Sequence, residues 1–147
     1  MAARRRASTT GWPRDDHAFL NVPYDAKYEN LFLAFLAGLS GFALAPHATL
    51  EIPGSQRRLD RIVHLLRRCE YSFHDLSRAE VDRTPPATPR FNMPFELGLA
   101  VTLATTHRGH QWFVFKARPR RTSKALSDLA ATDEYLHSGT PAECCML

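Results

Sequence analysis

One stretch of the sequence sets a reactive side chain in surroundings that would make it reactive. From Phe91 to Ala104 the chain reads as a helix surrounded by apolar residues, and Glu96 is its only charge. Leu99, Ala100 and Leu103 follow it at helical spacing. A helix that is apolar all round is buried. A carboxylate there is costly to desolvate unless it is paired or protonated. Burial raises its pKa, while the nearby helix N-terminus favours the anion. A carboxylate poised in this way at a crevice suits acid–base, nucleophilic or cation-stabilising chemistry. The plainer reading is that Glu96 pairs with an arginine or caps its own helix from the first turn. Spacing leaves both readings open. Gly98 would admit a close backbone or ligand, or serve only helix–sheet packing.

Other residues could share that chemistry. Asp75 lies near the C-terminal end of the run Cys69 to Leu76, where it would bind a ribose hydroxyl or a base, or form a turn before Ser77. Tyr24 would orient a carboxylate or stack on a ring, or simply pack. Asn21 would hydrogen-bond a sugar or end a strand. Asn92 is a natural N-cap at the mouth of the same crevice, and a substrate-binding candidate. Arg57 and Arg58 open a helix and would meet phosphates or remain solvated. His74 reads as a strand residue in phase with Ser72. Asp133 and His137 have the spacing of a helical pair, and an Asp–His contact is also the core of a base dyad.

Elements must carry these groups. His17 to Val22 is a short apolar run that reads as a buried strand. Asp25 is placed as the N-cap of a helix whose apolar face runs from Tyr28 to Leu39, closed by Ser40-Gly41. Phe42 to Ala45 reads as a second strand, and His47 to Gly54 as a loop. Ser55 would cap a helix carrying Leu59, Ile62, Val63 and Leu66. Cys69 to Leu76 is a third strand and Gln111 to Ala117 a fourth. Ser77 to Arg90 is a proline-rich loop of unusual length. Arg118 to Lys124 is a basic loop, and Ala125 to Leu136 reads as a last helix. This alternation predicts an α/β fold, a parallel sheet of four or five strands with helices on both faces. Such sheets bind ligands beyond the C-terminal ends of their strands. That rule gathers Asn21 to Asp25, His74 to Arg78 and the start of the Phe91 helix at one crevice. Residues 1–15 read as a disordered basic tail, 16–137 as one domain, and 138–147 as a C-terminal tail.

Composition narrows the class. The chain has 147 residues, enough for one core, and 44% are apolar. No apolar run approaches the roughly 18 residues a membrane span needs, so no membrane role is expected. The formal charge of +4 permits a phosphate-bearing partner. The arginines form no stripe interleaved with aromatics, so specific nucleic-acid binding is not expected. Three cysteines without C-x-x-C or metal-ligand spacing predict a reducing, cytoplasmic setting and no metal.

The segments AFLNVPYDAKYENLF, YSFHDLS and RFNMPFELGLAV resemble the superfamily of TIR domains and nucleoside 2-deoxyribosyltransferases. They are most similar to small bacterial TIR-like proteins. The likeness runs from about His17 to Phe115. It implies a flavodoxin-like sheet and cleavage of an N-glycosidic bond, in NAD or in a nucleoside or nucleotide. NAD would then be a substrate, and no cofactor is implied. Glu96 in FELGLA matches the catalytic glutamate. Asp75 resembles the acidic residue ending the third strand in deoxyribosyltransferases, and Tyr24 a tyrosine after their first strand. Arg90 stands where those enzymes carry an aspartate. Asn92-Met93-Pro94-Phe95 replaces the small-residue and tryptophan pattern of TIR enzymes. The likeness also implies a homo-oligomer, and it allows a non-enzymatic module that senses nucleotides or self-associates. ALSDLAATDEYLHSGTP is similar to a segment after which more chain usually follows, which implies a chain that stops early.

Overall fold

The computed structural model describes residues 16–49, 57–79, 85–86, 90–106, 109–117, 126–127 and 133–144. Five strands form one sheet: β1 (His17–Asn21), β2 (Ala45–Ala48), β3 (Tyr71–Asp75), β4 (Gln111–Lys116) and β5 (Glu134–Leu136). Their order is β2-β1-β3-β4-β5, and every pairing is parallel. This is the flavodoxin-like α/β order. The chain leaves β1 toward β2, then crosses back to β3 on its other side. The sheet therefore has its switch point between β1 and β3.

Strand alternation sorts the core into two layers. Ala18, Leu20 and Val22 pack on helix α1 (Glu29–Gly41) through Leu31, Ala34, Phe35 and Leu39. Phe19 packs on the opposite side against α2 (Arg58–Arg68) and α3 (Asn92–Thr106), through Ile62, Leu65, Leu66, Ala100 and Leu103. In α2 the arginines take the wet side, so its apolar stripe is well defined. The apolar surround of α3 buries Met93, Leu97, Ala100 and Leu103 together with Glu96.

The structure differs from the sequence-based expectations at several boundaries. β2 begins at Ala45 rather than Phe42. Phe42 caps α1 and is 76% exposed, and Ala43 takes a left-handed turn with φ 59° before the strand starts. Pro46, which cannot donate a ladder hydrogen bond, is tolerated because β2 is an edge strand. Asp25 is not the cap of α1. Its Oδ1 accepts the Lys27 N–H at 3.1 Å in the turn ahead of Tyr28, which holds the cap position. Asn92 is the first residue of α3 rather than its cap. Phe91 precedes it and accepts the Phe95 N–H at 3.0 Å.

The largest correction concerns the end of the chain. Within the expected helix Ala125 to Leu136, Glu134–Leu136 is instead strand β5. It pairs with β4, and Tyr135 stacks on Phe115 at 5.2 Å. Beyond it, Pro141–Cys144 forms a helical turn, α4, whose Cys144 is buried in the α1 core layer. The domain thus extends to Cys144, past the expected limit at 137. The expected tail at 1–15, the Ser55 cap, and most of the loops 77–90 and 118–124 lie outside the described residues. Among the described residues, no helix is long and apolar enough to cross a membrane.

Candidate functional site

A cleft of about 540 Å³ opens at the C-terminal end of β1, beside the switch point. Its lining comes from Asn21 to Tyr24, from Arg58 at the start of α2, and from Arg90 to Met93 with Glu96 around the start of α3. Glu96 is the fifth residue of α3, so it sits in the second turn and not, as expected, the first. A second-turn side chain is badly placed to cap the free N–H groups of its own helix. Glu96 is only 3% exposed. Among the described residues its carboxylate has no hydrogen-bond or ion-pair partner. Burial pushes its pKa from 4.5 up to about 7, and the Arg58 charge draws it partly back. The apolar packing of α3 and the open mouth of the cleft together hold a carboxyl group near the midpoint of its titration at neutral pH.

Tyr24 closes the β2 side of the cleft. Its hydroxyl donates to the Leu20 carbonyl at 3.1 Å and accepts from the Thr49 N–H at 3.3 Å and the Thr49 hydroxyl at 3.2 Å. Its ring meets Phe32 edge-on, at 5.7 Å. Burial raises its pKa most; the Thr49 bonds lower it, the Glu96 charge raises it and the Arg58 charge lowers it. Arg58 Nη2 reaches the Thr49 hydroxyl at 3.5 Å. Arg90 at the rim pairs with Asp25 at 3.5 Å, and Arg78 does the same on the other carboxylate oxygen. Phe91 lines the cleft with 68% of its surface open, so its ring is not part of the core.

Of the residues expected to form the site, the cleft brings together Glu96, Tyr24, Asn21 and Asn92. Arg57 does not join them. It stands exposed at the cap of α2, and the next residue, Arg58, points its charge into the cleft instead. Asp75 does not join them either, and the reason is parity. Asn21 pairs in register with His74, so His74 shares the α3 side of the sheet and Asp75 faces the α1 side. There it is fully buried. It accepts the Tyr28 hydroxyl, His137 Nε2 at 2.8 Å and the Ser77 N–H at 2.7 Å. Burial first, and then Asp75, keep the Tyr28 hydroxyl protonated far above its usual range. His137 Nδ1 accepts the Gly139 N–H at 3.1 Å, which leaves Nε2 to donate to Asp75. The expected Asp133–His137 helical pair is replaced by this buried cluster across the sheet.

Arg58, Arg90, Phe91 and Thr49 were not singled out together by sequence. Arg58 was indistinguishable from Arg57 by composition, and only the phase of α2 separates them. The Asp75–His137 contact joins residues 62 positions apart and left no local signal. Among the described residues, no group of three or more His, Cys, Asp or Glu side chains could hold a metal ion. No known family model matches the chain. No curated protein matches it either.

Proposed function

We propose that the cleft binds a nucleoside or nucleotide and that Glu96 acts in cleaving its N-glycosidic bond, with NAD among the candidate substrates. One observation carries this reading: an almost fully buried glutamate, without a partner among the described residues, opens on a cleft at the ligand-binding end of an α/β sheet. The likeness of FELGLA to the catalytic segment of TIR and deoxyribosyltransferase proteins supports it. In the reaction the C1′–N bond breaks, and the base leaves with the bonding electrons. The ribosyl C1′ becomes oxocarbenium-like. Ionised Glu96 stabilises that cation or bonds to it, and water then attacks C1′, displacing Glu96 where it has bonded. The proton water loses goes to the departed base of a nucleoside, or to solvent when nicotinamide leaves neutral. Phe91, which lines the cleft, would stack on the base, and Arg58 and Arg90, which line it too, would meet a phosphate.

Asp75 has no direct part in this reading, because its carboxylate is spent on Tyr28, His137 and Ser77. Purified protein incubated with NAD and a nucleoside panel should release free base. Glu96→Gln should lower the rate about 100-fold or more. Equal background rates in both proteins would remove the catalytic claim. Thermal stabilisation by a nucleotide that survives Glu96→Gln, with no product, would identify a nucleotide-sensing module instead.

A further inference from the structure

Asn21, the last residue of β1, lines the cleft but is only 3% exposed. Its Nδ2 lies 3.0 Å from the Met93 carbonyl oxygen and 3.0 Å from His74 Nδ1. A backbone carbonyl only accepts, so the nitrogen end of the amide must face it. Both N–H groups of Asn21 are then used. His74 must accept at Nδ1 and carry its proton on Nε2. Complete burial agrees, pushing the His74 pKa down to about 3 and keeping the ring neutral.

Among the described residues, His74 Nε2 is buried with no hydrogen-bond partner. An interior N–H left unpaired is destabilising, and a phenylalanine would fill the same place beside Phe19 without that penalty. What His74 contributes is the acceptor that holds the Asn21 amide. Asn21 is then left with Oδ1, an acceptor with no partner among the described residues. Met93, which anchors Asn21, stands one helical turn before Glu96 on the same side of α3. Ionised Glu96 adds further unpaired acceptors. On a sugar, the group that answers two acceptors lining one cleft is a vicinal diol, with each hydroxyl donating one proton.

We propose that Asn21, held in place by His74, is a specificity residue that reads the 2′,3′-diol of a ribosyl group together with Glu96, so that the cleft prefers ribosyl to 2′-deoxyribosyl ligands. This rests on the reading of the cleft as a nucleoside or nucleotide site. His74 is a positioning residue, since it acts only through Asn21.

The test compares adenosine 5′-monophosphate and NAD with their 2′-deoxy forms on the unaltered chain, by binding and by release of free base. A preference for the ribosyl form of roughly 10- to 100-fold is expected, as for sites whose polar groups a ligand leaves unpaired. His74→Phe should shrink the preference to within about threefold. His74→Gln, which restores an acceptor, should retain it. Circular dichroism melts confirm that each variant folds, and the comparison on the unaltered chain does not depend on them. Equal handling of both sugars, with turnover still dependent on Glu96, would overturn the diol proposal and leave the proposed function standing. A preference in binding without turnover would support the diol proposal and overturn the catalytic reading. Failure of every ligand to bind would overturn both.

Discussion

At the scale of the residue, Glu96 weakens the fold that it equips. Its pKa rises from 4.5 in an open chain to about 7 in the folded one. At pH 4 both states hold the proton and the residue is nearly neutral to stability. Between 4.5 and about 7 the unfolded chain has released its proton while the folded chain retains it. Stability therefore falls as pH rises through that window and stays level above it. The loss at the plateau is on the order of 3 kcal/mol. Glu96→Gln should accordingly melt close to the unaltered protein at pH 4, and about 5–10 °C above it at pH 8. Melting curves at the two values check this, and an unchanged difference between them would contradict the burial argument. The residue was legible in sequence as a lone charge on an apolar helix, although spacing left arginine pairing or capping open until the second-turn position and the cleft were known. Asp75 was legible as a functional-looking carboxylate but not in its direction. Facing is decided by strand register, and register was fixed only when Asn21 met His74.

Elements show the same division between local and distant signals. α1, α2 and α3 were readable from helical spacing, and β1, β3 and β4 from short apolar runs between turns. The start of β2 was misplaced because Phe42 and Leu44 look like strand residues. The end of α1 nevertheless needs two residues to turn the chain. β5 was missed because nothing local distinguishes Glu134–Leu136 from a helix end. Its strand state comes from pairing with β4, and Lys116 forms an ion pair with Glu134 across that pairing. His137 follows β5 directly, and its bond to Asp75 ties the edge of the sheet to β3 and to Tyr28 at the head of α1. Removing His137 leaves a fully buried carboxylate short of a donor. His137→Ala should destabilise the fold by about 2–3 kcal/mol. In a double-mutant cycle with Tyr28→Phe, the coupling should exceed about 0.5 kcal/mol. Additive effects in urea unfolding would show that the three side chains do not act as one cluster.

For the whole molecule, the sheet order accounts for the position of the cleft. The switch between β1 and β3 leaves a gap above their C-terminal ends, and α3 enters that gap with Asn92, Met93 and Glu96. Alternation of strands and helices was enough to predict a parallel sheet and a crevice at this end. It could not say which of the gathered polar groups would share one side of the sheet. Glu96, Asn21 and Arg58 do, and Tyr24 joins them in the cleft although its ring packs on Phe32 of α1, while Asp75 is buried in the other layer with Tyr28 and His137. The measurement that bears most directly on this account is release of free base from NAD and nucleosides, followed by chromatography across pH. The account predicts release by the unaltered protein that rises with pH through about 7, because burial pushes the Glu96 pKa up to about 7 and the ionised form acts, and a loss of about 100-fold or more in Glu96→Gln. Background release that is equal in the two proteins at every pH would contradict it.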